Sequence, residues 1–181
     1  MFSKQIEKLK SAIERCFYTF EGKNIEEEEA LDKGYELIQS TFTKKQRIYF
    51  LGNGGSAAIA SHFANDFLKT LKIPALTITD ASVLTCFSND YGYEYVYSKP
   101  LATLLSQNDL LIAISSSGNS SNIINAAHVA KKKGCKIITL TGFESDNLLR
   151  KEGVLNFWID AKEYGIVETA HFFILHTIVD L

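Results

Sequence analysis

The first 43 residues carry apolar side chains at the spacing of a helix. Steps of three and four residues separate the positions of a first apolar stripe, which are Ile6, Leu9, Ile13, Phe17 and Phe20. The polar segment EGKN interrupts this pattern, and Asn24 is a suitable N-cap for a second helix with an acidic first turn. We therefore predict two amphipathic leading helices. They either cover one face of the domain or, as their many aromatic and aliphatic residues favour, contact another subunit.

From Arg47 onward, short apolar runs alternate with segments of helical pattern. The runs IYFL, LLIAI and KIITL show no alternation of apolar and polar residues, as in strands buried on both faces of a parallel sheet. Five such strands with intervening helices predict an α/β fold with a doubly wound, five-stranded parallel sheet. We predict a single domain over 1–181, with the leading helices in 1–43 and the α/β core in 44–181. In folds of this class, ligands bind at the carboxyl ends of the strands.

Composition narrows the function classes. Of the 181 residues, 46% are hydrophobic and 22% are charged, as in globular proteins with a core. The formal net charge is -2 and the longest basic run is KKK at 131–133, so nucleic-acid binding has little electrostatic support. No apolar run approaches the roughly 18 residues of a membrane span. The three cysteines, Cys16, Cys86 and Cys135, form no CxxC pair and indicate reduced thiols in a cytoplasmic protein.

Two turns rich in glycine and serine follow predicted strands. GNGGS spans residues 52–56 and SSSGNSS spans residues 115–121, and each turn opens a predicted helix. Glycine lets a backbone approach a ligand closely, and free amides at a helix N-terminus bind anions. Serine capping of a helix explains either turn alone, but two such turns at the same sheet edge favour a phosphate site. Neither turn has the P-loop or GxGxxG signature of nucleotide binding, so a phosphorylated small molecule is the expected ligand.

Ionisable side chains stand at two further places near this edge. His62 and Asp66 are four residues apart on the helix after GNGGS and therefore share a face. On the last helix, Glu168, His171 and His176 lie within an apolar run, where polar groups need partners. A surface ion pair and satisfied core histidines are the simplest explanations. However, several such residues lie near the sheet edge at which we expect a ligand, and this favours acid–base chemistry or a metal site.

These motifs together resemble the phosphoheptose isomerases. GNGGS, HFA with an acid four residues after the His, SNDYG, ISSSGNS and VETAHFFILH follow in the order of that family, over nearly the whole chain. The family has a sugar-isomerase (SIS) fold and converts sedoheptulose 7-phosphate into D-glycero-D-manno-heptose 7-phosphate. The resemblance therefore implies an aldose–ketose isomerase that works through an enediol and supplies heptose for lipopolysaccharide or capsule. It also implies a homotetramer with active sites at subunit interfaces.

The resemblance also implies roles for individual residues. The residues expected to hold the phosphate are Ser115, Ser116, Ser117 and Ser120. The residues expected to contact the rest of the substrate are Asn53, Gly54, Ser56, Asp90 and Glu168. The ligands expected for a divalent cation, with zinc as the expected ion, are His62, Asp66, Glu168 and His176. Of these, Asp66 is the expected catalytic base and His176 the expected acid.

Three departures from the family pattern bear on the chemistry. Asp66 stands where the family has Glu, and its side chain is shorter by about 1.5 Å. Glu168 stands where the family has Gln, which adds a negative charge to the site. Gly165 and Ile166 replace a common Asp-Arg pair, so we expect one substrate contact to be missing.

The spacing on the last helix limits the metal site. Glu168 and His176 are about 12 Å apart along a helix, so both reach one ion only if their side chains converge or a second subunit supplies one. His171, one turn from Glu168, is the competing ligand, although the family spacing favours His176. Two other functions stay open: a non-catalytic SIS protein that binds a sugar phosphate or acts as an adaptor, and an isomerase of another phosphorylated sugar.

Overall fold

The computed structural model describes residues 1–180, in which seven strands and seven α-helices are found. The strands are β1 (Cys16–Phe20), β2 (Lys23–Ile25), β3 (Ile48–Leu51), β4 (Ala75–Thr77), β5 (Leu110–Ser115), β6 (Lys136–Thr141) and β7 (Leu155–Ile159). The helices are α1 (Phe2–Glu14), α2 (Glu27–Thr43), α3 (Gly55–Asp66), α4 (Ala81–Tyr91), α5 (Ser98–Leu104), α6 (Ser121–Lys132) and α7 (Tyr164–Val179). Leu181, the last residue of the predicted domain, lies outside the described residues.

The strands form one mixed sheet in the order β2-β1-β7-β6-β5-β3-β4. Strands β3 to β7 pair in parallel and coincide with the five predicted strands, so the predicted α/β class is confirmed. Strands β1 and β2 form an antiparallel hairpin that continues the sheet beyond β7. The sheet therefore has seven strands, and the predicted number of five is wrong.

Helices cover the parallel strands on both faces. On one face α1, α2, α3 and α7 pack against the sheet, and Phe50, Phe63 and Phe157 lie in this core together with Ala30 from α2. On the other face α5 and α6 pack against the sheet, around Tyr49. Burial on both faces is the reason why the strand sequences show no apolar–polar alternation. The leading segment is thus part of the main core, while its predicted contact with another subunit stays a prediction.

The first predicted helix is wrong beyond Glu14. Phe17 and Phe20, which the helical spacing assigns to its apolar stripe, lie in β1. Consecutive aromatic and β-branched side chains favour a strand. Positive φ angles of 48° at Glu21 and 78° at Gly22 then form the two-residue turn of a hairpin. Pairing of β1 with β7 therefore decides the conformation of a segment whose spacing alone suggests a helix.

The predicted N-cap of the second helix is also wrong. Asn24 lies in β2, where it pairs with Thr19 of β1. The helix begins later, with Glu26 at the N-cap and three glutamates in its first turn. Those carboxylates are favourable beside the positive end of the helix dipole, so the acidic start of the helix agrees with the prediction although its boundary does not.

Strands β3 and β5 are neighbours in the sheet, but the chain leaves them toward opposite faces. Helix α3 follows β3 onto one face, and α6 follows β5 onto the other. The carboxyl ends of β3 and β5 therefore form a topological switch point, where an open α/β sheet has a crevice for ligands. Both predicted phosphate turns lie at these two strand ends. In residues 1–180, no helix has the length and apolar character to cross a membrane.

Candidate active site

A cavity of about 120 Å³ lies at the switch point, between the two turns. Its lining residues are Asn53, Ser56, Ser115, Ser116, Ser117, Ser120, Tyr164 and Glu168. The structure thus brings together all four serines predicted to hold a phosphate and three of the residues predicted to contact the sugar. Gly54 and Asp90 are not among the lining residues; Gly54 forms the turn before α3, and Asp90 lies exposed near the end of α4. Their predicted substrate contacts stay predictions.

The backbone of both turns exposes helix N-termini to this cavity. Gly54, the N-cap of α3, has a φ of 51°, and Gly118 has a φ of 62°, a region that favours glycine. A Cβ at Gly118 would also overlap the side chain of Asn147. The first amides of a helix lack partners within the helix and carry partial positive charge. The cavity therefore lies where α3 and α6 both attract an anion.

The turn at residues 115–121, which we call the serine turn, adds hydroxyl groups to these amides. The Ser115 hydroxyl accepts a hydrogen bond from the amide of Gly118 at 3.2 Å and lies 3.4 Å from the Ser120 hydroxyl. The buried Ser116 hydroxyl has no hydrogen-bond partner within residues 1–180. Leaving such a group without a partner costs free energy. An anionic oxygen bound beside Ser116 would recover that cost, which is the chemistry expected of a phosphate site.

A pair of asparagine side chains connects the two turns. Asn53 donates to the Asn122 side-chain carbonyl at 3.0 Å, and Asn122 donates back to Asn53 at 2.9 Å. The Tyr93 hydroxyl also donates to the side-chain carbonyl of Asn53, at 3.1 Å, while the Tyr97 hydroxyl donates to the backbone carbonyl of Gly52, at 2.8 Å. The side chain of Asn53 is therefore engaged within the protein. The sequence analysis missed Asn122, although its position directly after the serine turn was a usable signal.

Replacing Asn122 with alanine should loosen the relative position of the two turns. Asn122 is 2% exposed, and its loss leaves the Asn53 amide without its partner. We expect a loss of about 1–3 kcal/mol in the free energy of unfolding and weaker binding of inorganic phosphate. Urea denaturation and calorimetry measure the two effects. Asn125→Ala, one turn further along α6, is the matched control, because the Asn125 side chain donates to the backbone carbonyl of Glu94 at 2.9 Å and does not join the two turns; equal effects of both variants would contradict a special role of Asn122.

Three ionisable side chains meet between α3 and α7. Ligand atoms of His62, Asp66 and His176 all lie within 4.8 Å of one another. His62 Nε2 lies 3.0 Å from Asp66 Oδ2, and the ring centroids of His62 and His176 are 5.3 Å apart. Phe63 and Phe172 pack against both imidazole rings. We call His62, Asp66 and His176 the His–Asp cluster. Two imidazoles and a carboxylate are suitable ligands for a divalent cation.

Glu168, the fourth predicted metal ligand, does not join the His–Asp cluster. Its carboxylate lies against Gly55, where a Cβ would overlap it, and it lines the cavity between the turns. The two turns of helix between Glu168 and His176 explain this separation. The structure thus brings three of the four predicted ligands together and places Glu168 beside the serine turn. A role of Glu168 as a metal ligand stays a prediction.

His171 is buried away from the His–Asp cluster. Its side chain is 0% exposed, and its Nε2 donates to the carbonyl of Thr141 at 3.0 Å. Burial lowers the pKa of His171 to about 4, although the hydrogen bond with Thr141 opposes the shift. Of the two histidines that compete for the metal site, His176 reaches the cluster and His171 does not. A neutral His171 supports the packing of α7 on β6.

The protonation of His171 should make the protein less stable in acid. An unfolded histidine titrates near pH 6.5 and His171 in the folded state near pH 4, so the unfolded state binds more protons in between. Stability is therefore lost as the pH falls through this window, by about 2 kcal/mol from this group at pH 5 relative to pH 8. Urea denaturation at both values measures the loss. His171→Gln, which keeps a donor for Thr141, should show a flatter pH profile; an unchanged profile would contradict this origin.

Comparison with known proteins identifies similar chains. The family model described as SIS domain matches residues 4–142. The phosphoheptose isomerase of Aliarcobacter butzleri is 37% identical over 160 residues, which are 85% of this chain and 84% of the relative. The phosphoheptose isomerase of Fusobacterium nucleatum is 36% identical over 168 residues, which are 87% of this chain and 85% of the relative. Residues 4–142, which the family model matches, include both turns and the His62–Asp66 pair.

Solved structures extend the similarity to the whole described fold. Phosphoheptose isomerase GmhA from Neisseria gonorrhoeae superposes with a TM-score of 0.84 at 28% identity, covering 99% of this chain and 92% of that one. A phosphoheptose isomerase from Francisella tularensis has the same TM-score at 23% identity, covering 99% and 93% of the two chains. At the lower identity the likeness concerns the fold alone. It agrees with the α/β architecture described above.

Proposed function

Because the chain belongs to the SIS-domain family, as one of its phosphoheptose isomerases, we propose that it converts sedoheptulose 7-phosphate into D-glycero-D-manno-heptose 7-phosphate. The observation that carries this proposal is the combination of a cavity at the switch point, lined by serine hydroxyls at helix N-termini, with the His–Asp cluster further along the same two helices, α3 and α7. The product would supply heptose for lipopolysaccharide or capsule. The reaction is an aldose–ketose isomerisation through an enediol.

The cavity would hold the substrate by its phosphate. Ser115, Ser116, Ser117 and Ser120 would donate hydroxyl protons to the phosphate oxygens, and the α6 amides would add their partial positive charge. Asn53, Gly54, Ser56, Asp90 and Glu168 are the proposed contacts of the remaining sugar. Fixing the phosphate in this way holds the carbonyl end at a defined distance along α7, toward the His–Asp cluster. Such positioning is itself a large part of catalysis.

The His–Asp cluster would carry the proton transfers. Conversion of the ketose removes a proton from C1 and returns one to C2, while a hydroxyl proton moves from O1 to the former ketone oxygen O2, so that O1 becomes the aldehyde oxygen and O2 a hydroxyl. We assign the carbon-bound proton to Asp66 and the oxygen-bound proton to His176. His62, 3.0 Å from the Asp66 carboxylate, would hold that carboxylate in place. Because ligand atoms of Asp66 and His176 lie within 4.8 Å of each other, adjacent substrate atoms can contact both.

The residues of the His–Asp cluster fit a divalent cation, with zinc as the proposed ion. His62, Asp66 and His176 offer two imidazole nitrogens and a carboxylate oxygen, a donor set that zinc prefers. Glu168 is proposed as a fourth ligand only if its side chain turns away from Gly55. When bound, the ion would supply Lewis-acid polarisation of the substrate oxygens.

We further propose one domain that assembles as a homotetramer with active sites at subunit interfaces. Large apolar side chains remain exposed on α7 in the single chain: Tyr164 is 62% exposed and Phe173 is 55% exposed. A neighbouring subunit would cover such side chains and close the site to water. A cytoplasmic location is proposed because Cys16, Cys86 and Cys135 are all free thiols.

The proposal is tested by incubating the purified protein with sedoheptulose 7-phosphate and following the aldose by NMR, with and without added zinc. We expect conversion to the heptose 7-phosphate. Absence of turnover under both conditions would refute the isomerase. Calorimetry with the same sugar phosphate separates the two remaining functions, because binding without conversion indicates a non-catalytic SIS protein. Turnover of a different phosphorylated sugar alone would assign another isomerase activity.

A further inference from the structure

The cavity at the switch point contains a negative charge of the chain itself. The half-buried carboxylate of Glu168 lies against Gly55, the first residue of α3. It therefore occupies the positive end of that helix, a position that stabilises an anion. The lining residues within the described part of the chain include no lysine or arginine. Of the two helix N-termini at the cavity, α3 thus has an internal anion, and α6 is left for a ligand.

We propose that Glu168 is a specificity-determining residue that excludes a second acidic group from this site. The site would take phosphorylated sugars whose other end is neutral, such as an aldose, a ketose or a polyol, and reject phosphorylated sugar acids. The inference rests on the proposed function, because it places the phosphate on the serine turn. It goes beyond that function by stating that the site does not bind phosphorylated sugar acids and that Glu168 causes this exclusion.

The arrangement of α7 explains why the charge acts on the sugar end of a ligand. Tyr164 and Glu168 line the cavity, and His176, two turns further, belongs to the His–Asp cluster. A ligand with its phosphate on the serine turn and its carbonyl carbons at the cluster must pass Glu168. A carboxylate at that end of the ligand would repel the Glu168 carboxylate. In partly hydrated surroundings, two such charges about 7 Å apart change an affinity by about tenfold.

A matched pair of ligands tests this discrimination. D-glucitol 6-phosphate and 6-phospho-D-gluconate share the phosphate and the carbon chain and differ only at C1, which is an alcohol in the first and a carboxylate in the second. Calorimetry in the presence of a chelator, which removes any bound metal, gives both dissociation constants. We expect the wild-type protein to bind the polyol phosphate about tenfold more tightly, and Glu168→Gln to bring the ratio of the two constants severalfold closer to one, with the remaining difference due to the Asp66 carboxylate of the His–Asp cluster.

Two further variants distinguish the effect of the Glu168 charge from the effect of side-chain shape and from that of the protein's net charge. Glu168→Asp keeps the carboxylate and should keep the discrimination. Glu163→Gln removes the same charge from the start of α7, outside the cavity, and should leave the ratio unchanged; the Glu163 side chain forms an exposed ion pair with Lys8, at 2.6 Å. Thermal unfolding checks that each variant is folded.

The outcomes distinguish this inference from the proposed function. Equal ratios in wild type and Glu168→Gln, or tighter binding of the sugar acid by wild type, would overturn the role of Glu168 while leaving a phosphate site in place. Failure of the wild-type protein to bind both compounds and inorganic phosphate would overturn the phosphate site, and the specificity role with it. A ratio that falls to the same degree in Glu163→Gln would also overturn it, because the effect would then be one of net charge.

Discussion

Replacing His176 with alanine should lower the rate of sedoheptulose 7-phosphate conversion by about 10³-fold. His176 is the proposed acid, and loss of a positioned proton donor or acceptor typically costs about 10²–10⁴-fold in rate. The ring also completes the His–Asp cluster, because no other imidazole of α7 reaches His62 and Asp66 in the described residues. The expected loss is in kcat, since the serine turn, which is the proposed phosphate site, is unchanged. Steady-state kinetics by NMR and circular dichroism measure activity and folding.

Two further histidine variants make this result specific. His128→Ala removes an exposed histidine on α6, 3.4 Å from Glu152 and away from the cluster, and should keep full activity. His176→Gln keeps a polar side chain between Phe63 and Phe172 but offers no comparable proton transfer, and it should be as inactive as His176→Ala. Activity of His176→Gln near that of wild type would exclude His176 as the acid.

Replacing Asp66 with asparagine should also abolish most of the activity, again by about 10³-fold. The change removes the proposed base without altering the size of the side chain. It also removes the only carboxylate of the His–Asp cluster, so the protein should retain less zinc after dialysis. Rates from NMR and the metal content from mass spectrometry are the two measurements. The loss of activity and the loss of metal are separate readouts of one carboxylate.

The control for this prediction tests the length of the side chain. Asp66→Glu restores the residue found in the family and keeps the charge, so it should retain activity well above that of Asp66→Asn. Asp160→Asn removes an exposed carboxylate at the end of β7 and should leave rate and metal content unchanged. If Asp66→Asn turned over substrate at the wild-type rate, the base would have to be another group, with Glu168 as the nearest alternative on α7.

The sequence predicted the parts of the fold that depend on local pattern. The continuous apolar runs identified β3, β5 and β6, because a strand buried on both faces leaves no polar positions. The two turns at the switch point could be found for a related reason, since glycine and hydroxyl residues gathered in a short stretch before a helix suit a helix N-terminus to bind an anion. Chain order and parallel pairing then placed Ser115 and Ser56 at one edge.

Features that depend on distant contacts could not be predicted in this way. Phe17 and Phe20 have the spacing of a helix, and only their pairing with β7 makes them part of a strand. The Asn53–Asn122 pair joins residues 69 positions apart, which no local pattern indicates. Glu168 and His176 share a helix, but the packing of α3 against α7 sends one to the cavity and the other to the cluster. Such choices are made by tertiary packing rather than by propensity.

The hairpin of β1 and β2 has a consequence for how the protein folds. The side chains of Thr19 and Asn156, on β1 and β7, are hydrogen bonded at 2.9 Å although the two residues are 137 positions apart in the sequence. Contacts between residues so far apart in the sequence form slowly. During synthesis, the N-terminal hairpin leaves the ribosome long before β7 exists. Pairing of β1 with β7 is therefore a late event in folding. A chain that stops before β7 leaves one edge of β1 unpaired, and such an edge is a template for aggregation.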